Sequence, residues 1–131
     1  MIKRTHVALG IVSILPLISH VNILFIPIGL IGAVFPDYDY MVGLKHRGIT
    51  HTFLFLFLTT AIIFLISPQL ASIWGICYLT HLAGDSITKT GIPALYPFNE
   101  KYYGLKLIKT RGAEDLLILL ICIYIISEFI A

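Results

Sequence analysis

His81 and Asp85 stand four residues apart, a spacing that puts an imidazole and a carboxylate one turn apart on one helix face. They sit in an apolar run, Ile73 to Asp85, where an ionisable group is costly unless it is paired or bound to a metal. The same donor chemistry recurs along the chain. Pro36-Asp37-Tyr38-Asp39 places two carboxylates directly after an apolar stretch, and His46-Arg47-Gly48-Ile49-Thr50-His51 carries two imidazoles and a guanidinium in six residues. His6 precedes a further apolar stretch. Each motif has a plainer reading: a polar helix stop, an amphipathic surface loop, or a polar pair acting as packing glue. Acidic groups are disfavoured by the dipole at a helix carboxyl end, however, so cationic or metallic compensation is expected around Asp37 and Asp39.

Imidazole nitrogen and carboxylate oxygen are the ordinary ligands of zinc. His6, Asp37, His46, His51, His81 and Asp85 are the candidate ligands. Six donors exceed the four that one tetrahedral ion requires, so one or two divalent ions, zinc first, are expected. Asp39 or Glu114 is the candidate general base, and Arg47, Lys89 and Arg111 are the candidates for holding an anionic group.

Elements must position these residues, and composition limits which. The 131 residues fit one domain, residues 1–131. With 58% hydrophobic residues, 12% charged residues and a mean hydropathy of +0.94, the chain lies outside the soluble globular range, and a bilayer is the expected solvent. A net charge of +2, without a basic helix or stacking platform, excludes nucleic acid as the partner. Cys77 and Cys122 lack CxxC spacing and read as free thiols.

The expected fold is an all-α integral membrane protein of about five hydrophobic helices. The apolar stretches are Val7 to Ser19, Ile23 to Phe35, Phe53 to Ile66, Leu70 to Thr88 and Leu116 to Ile130. The first two are short and carry Pro16 and Pro27, so they read as two tilted spans or as a hairpin. A long inner loop, Lys89 to Gly112, precedes the last helix, and Tyr96, Tyr102 and Tyr103 are expected to anchor it at headgroup level. Lys3-Arg4 ahead of Val7 to Ile18 is signal-like but lacks small residues for cleavage, so His6 is expected to be retained. If the first two stretches each reverse direction, every Lys and Arg falls on one side, which predicts a multi-pass inner-membrane protein with a cytoplasmic amino terminus. On that topology every histidine except His20 shares the inner side with the carboxylates.

At these motifs the chain resembles the YdjM-like, LexA-regulated family of membrane-bound metal-dependent hydrolases. The resemblance runs through Thr5-His6 with Ala8 and Gly10, Gly32-Ala33 leading to Pro36-Asp37-Tyr38-Asp39, and His46 to His51. It continues through Thr80-His81-Leu82-Ala83-Gly84-Asp85 and Gly91 to Phe98. Lys89, Tyr96 and Tyr40 depart from the residues common in the family, and none of these removes a candidate ligand. The resemblance implies a metal-dependent hydrolase. Placed at the inner headgroup level, it would act on a lipid ester or phosphodiester. The competing reading is a non-enzymatic membrane protein with a structural metal, and the oligomeric state is left open.

Overall fold

The computed structural model describes residues 1–131 apart from the side chain of Val42. The chain is all-α: α1 (Lys3–Ile14), α2 (Phe25–Leu30), α3 (Phe53–Phe64), α4 (Pro68–Ile87) and α5 (Ala113–Ile130), joined by 3-10 turns at Leu15–His20, Ile31–Ala33, Phe35–Val42 and Ile49–His51. Helix α4 is the hub, with α1, α2, α3 and the Ile31–Ala33 turn all packed on it, while α5 lies on α1. Its start is set by Ser67, whose hydroxyl accepts from the Leu70 N–H, and by Pro68 in the first turn, where a missing N–H is harmless. Thr52 caps α3 in the same way through the Phe55 N–H.

Two small cores flank α4. Ile14, Ala33, Ile73 and Cys77 form one, and Trp74, Tyr78, Leu82, Ile92 and Ala94 the other. Close approach needs glycine at Gly32, where a Cβ would lie 2.8 Å from the Trp74 carbonyl oxygen. That contact brings the Ile31–Ala33 turn against α4 and fixes where the Ala33 carbonyl points. Cys77 and Cys122 are free and buried, as the sequence predicts.

The five apolar stretches do become helical, but not as spans. Among the described residues no helix is long and apolar enough to cross a membrane. The first stretch is α-helical only to Ile14 before Pro16 turns it into 3-10 geometry, and the second holds six α-helical residues. Helix α3 has 12 residues against the roughly 20 that a hydrocarbon core needs. Helix α4 is long enough but interrupts its apolar run with Ser72, Thr80, His81 and Asp85, and α5 carries Glu114, Asp115 and Glu128. The integral-membrane fold class is therefore corrected. The membrane-embedded reaction at headgroup level, the membrane-lipid partner and the multi-pass inner-membrane location with a cytoplasmic amino terminus all depended on those spans, and they fall with it. Hydropathy summed over a stretch had hidden where the helix stops.

The stretch from Lys89 to Gly112 is irregular but tied down. Ile92 and Tyr103 exchange backbone hydrogen bonds, and Thr88 bridges to Ile108. Tyr102 and Tyr103 are half-buried against protein, and the Tyr102 hydroxyl donates to the Arg47 carbonyl.

Candidate metal centre

Four donors from three elements converge on one point. His81 and Asp85 come from the buried face of α4, Asp37 from the Phe35–Val42 turn, and His51 from the Ile49–His51 turn. The Nε2 atoms of His51 and His81 are 3.3 Å apart. Asp37 Oδ1 lies 3.6 Å and 3.7 Å from them, and Asp85 Oδ2 lies 3.4 Å and 3.7 Å from them. All four atoms fall within 4.8 Å of one another. A tetrahedron with bonds of about 2.0–2.2 Å has edges of about 3.3–3.6 Å, close to the contacts that the two imidazoles make, so the cluster could hold a divalent ion.

The outer nitrogens explain why the inner ones face the cluster. His81 Nδ1 donates to the Ala33 carbonyl at 2.7 Å. The Thr50 hydroxyl donates to the Pro36 carbonyl at 3.2 Å, so it accepts from His51 Nδ1 at 3.1 Å, with Asp39 Oδ2 3.7 Å away. Once His51 gives up its Nε2 proton, protons held at both Nδ1 atoms leave both Nε2 lone pairs aimed at each other, which a cation between them relieves. Replacing Thr50 with Val removes one of these acceptors. Thr50→Val should weaken divalent-metal affinity by about 10- to 100-fold while leaving the helical circular dichroism unchanged. Equal affinity in titrations of both proteins would show that the hydroxyl does not orient His51.

His6 flanks the cluster. Its ring stacks on His81 with centroids 3.8 Å apart, and it is fully buried with neither ring nitrogen hydrogen-bonded. Its Nε2 is 3.2 Å from Asp85 Oδ1 without the alignment a hydrogen bond requires. The Asp85 carboxylate is thus two-sided. Oδ2 faces His51 and His81, while Oδ1 faces His6, the Met1 amino group and Arg47 Nη2, the last at 3.0 Å.

The charges follow from these contacts. Burial works to raise the Asp85 pKa, but the imidazoles of His51 and His6 outweigh it and hold the carboxyl far below its usual range. Asp37 shows the same contest: burial opposes ionisation, and His51 and His81 carry the net shift downward. For His51 burial favours the neutral ring, but the Asp37 and Asp85 carboxylates beside it outweigh burial and push its pKa up. Burial and the adjacent His6 lower His81 to about 3, so His81 stays neutral and ready to ligate.

The remaining sequence candidates are placed elsewhere. His46 is exposed and gives its Nδ1 contact to Asp39 Oδ1 at 3.1 Å, outside the four-donor group. Asp39 is buried and also accepts from the Tyr40 and Arg47 N–H groups, so it fastens the loop. Arg47 turns inward from a positive φ of 56°, and its Nη1 donates to Thr88 Oγ1 and the Gly91 carbonyl. Lys89 and Glu114 are exposed and away from the cluster. Arg111, also exposed, borders a cavity of about 710 Å³ together with Lys3, Tyr40, His46, Arg47 and Asp37. Lys3 was legible only as part of a basic pair, because its nearness to Arg111 depends on how α1 meets the start of α5. Asp115 makes that junction, accepting from the Ile2 N–H, the Thr5 hydroxyl and the Arg111 N–H.

No curated protein and no solved structure matches the chain. The motifs that build the four-donor cluster lie within a family match spanning residues 1–130, and by that match the chain belongs to the family described as YdjM inner membrane protein.

Proposed function

We propose that the protein is a divalent-metal-dependent hydrolase with Asp37, His51, His81 and Asp85 as the ligands of one ion, zinc first. The observation that carries the reading is the pair of Nε2 atoms 3.3 Å apart with both Nδ1 atoms engaged outward. When bound, the ion supplies Lewis acidity, polarising an ester and making water a nucleophile near neutral pH. The chain's own groups do the rest. Arg47 and His6 occupy the Oδ1 side of Asp85, which leaves room for one ion rather than two. Asp37 borders both the cluster and the 710 Å³ cavity, so a substrate reaches the site past it. Asp39 is saturated with hydrogen bonds and Glu114 is exposed outside the cavity, so neither stands free to take a proton from water at the cluster.

Four protein donors around one ion also suit a closed structural site, so a metal-stabilised scaffold is the second reading. Turnover separates the two. Zinc-loaded protein should hydrolyse a member of an ester and phosphoester panel, with the rate abolished by chelator and restored by zinc. The sign of the pH dependence follows from His51, whose raised pKa means a proton must leave before metal binds. Apparent zinc affinity should therefore fall as pH drops through the neutral range, with close to one proton released per ion at the acidic end. Chelation that changes only the melting temperature, with no turnover across the panel, would establish the scaffold.

A further inference from the structure

The cavity beside Asp37 has a charge pattern that the metal cluster does not account for. Lys3, at the start of α1, and Arg111, just before α5, both border it. Among the described residues Lys3 has aromatic partners alone, with Nζ 3.4 Å from the Tyr40 hydroxyl and 4.2 Å from the Tyr38 ring centroid. Arg111 holds Asp115 through its backbone N–H, which leaves the guanidinium uncommitted among the described residues. Its φ of 62° belongs to the left-handed region that a bulky side chain rarely adopts. Arg47 lies deeper in the same wall, already paired with Asp85.

We infer that this cavity is the binding site for a phosphate monoester, with Lys3 and Arg111 as the residues that hold its phosphoryl oxygens. With a divalent ion on Asp37 and Asp85 and with Arg47 in place, the carboxylates are neutralised and the cavity carries surplus positive charge. That surplus selects an anion, and a doubly charged one over a singly charged one. A planar guanidinium and a compact ammonium together suit a tetrahedral oxyanion, whose oxygens point several ways, better than a planar carboxylate with two. The bond to be broken rests on the hydrolase reading: water adds to phosphorus, the P–O ester bond breaks, and the alcohol leaves carrying a proton from that water. The binding itself does not rest on that reading, because neither Lys3 nor Arg111 belongs to the donor cluster.

Calorimetric titration with inorganic phosphate, on zinc-loaded and on metal-free protein at fixed ionic strength, tests the site without turnover. Lys3→Gln and Arg111→Gln should each weaken phosphate binding about tenfold at unchanged zinc content, whereas Lys109→Gln, outside the cavity, should not. Acetate should bind far more weakly than phosphate. Equal phosphate affinity in wild type and both cavity variants would overturn the proposal, as would acetate binding as tight as phosphate, or no phosphate binding in either form. If no variant takes up zinc but the two cavity variants still weaken phosphate binding to metal-free protein, the hydrolase reading fails and the phosphate site stands.

Discussion

His81→Ala should lower divalent-metal affinity by at least about 100-fold, the upper end of what losing an outer-shell partner alone costs. His81 supplies one of four donors, is fully buried, and is held in its ligating tautomer by the Ala33 carbonyl. The substitution also leaves a hole beside His6, so an isosteric partner is needed. Asp37→Asn keeps the shape at the cavity edge and should lose metal by a comparable factor. His46→Ala should keep its metal, because that ring turns to Asp39, and so should His20→Ala, which is exposed and far from the cluster. Metal content measured by mass spectrometry after equilibrium dialysis reads all four variants. Equal content throughout would mean that the four-donor cluster is not the binding site.

Arg47→Met should destabilise the metal-free protein by about 3 kcal/mol, because it breaks a buried ion pair and leaves the Met1 amino group as the one fixed cation on Asp85 Oδ1 among the described residues. For a chain of this size that corresponds to a fall in melting temperature of roughly 10 °C. The guanidinium is buried and makes three hydrogen bonds, to Asp85 Oδ1, Thr88 Oγ1 and the Gly91 carbonyl. It thus ties the carboxyl end of α4 to the loop that carries His51. Adding Asp85→Asn to Arg47→Met should cost less than the two single changes summed, a coupling between the paired groups that a double-mutant cycle reads. A melting temperature within a few degrees of wild type in the single variant would show that Asp85 is compensated without Arg47.

Legibility in the sequence followed the range of each interaction. The His81–Asp85 pair was readable because helical spacing alone puts both side chains on one face. Asp37 and His51 were readable by type, since only convergence of their turns remained unknown. His46 was not separable from them, and Asp39 was set apart only as a candidate base: nothing local says that one carboxylate of the Asp37–Tyr38–Asp39 triplet faces the cluster while the other holds a loop. Arg47 was readable as a guanidinium for an anion, but not that Asp85 of the same chain faces it: its inward course depends on a left-handed backbone at that residue and on the Tyr102 hydroxyl reaching its carbonyl. The helices were visible as apolar stretches, yet their lengths were not. Pro16 and the 3-10 turns from Ile31 to Val42 break helices that hydropathy draws as continuous.

The origin of the donors in three separate stretches has a kinetic consequence. His51 and His81 are 30 residues apart in sequence, and Asp37 comes from a third turn, so no single local element can assemble the set. Each loop must close, at an entropic cost, before any pairwise contact between the donors rewards it. An ion seated among them would then act as a staple across the topology, since unravelling the Asp37 turn, the His51 turn or α4 each requires breaking bonds to it. Such a staple slows escape from the folded state most where its bonds are absent from the transition state.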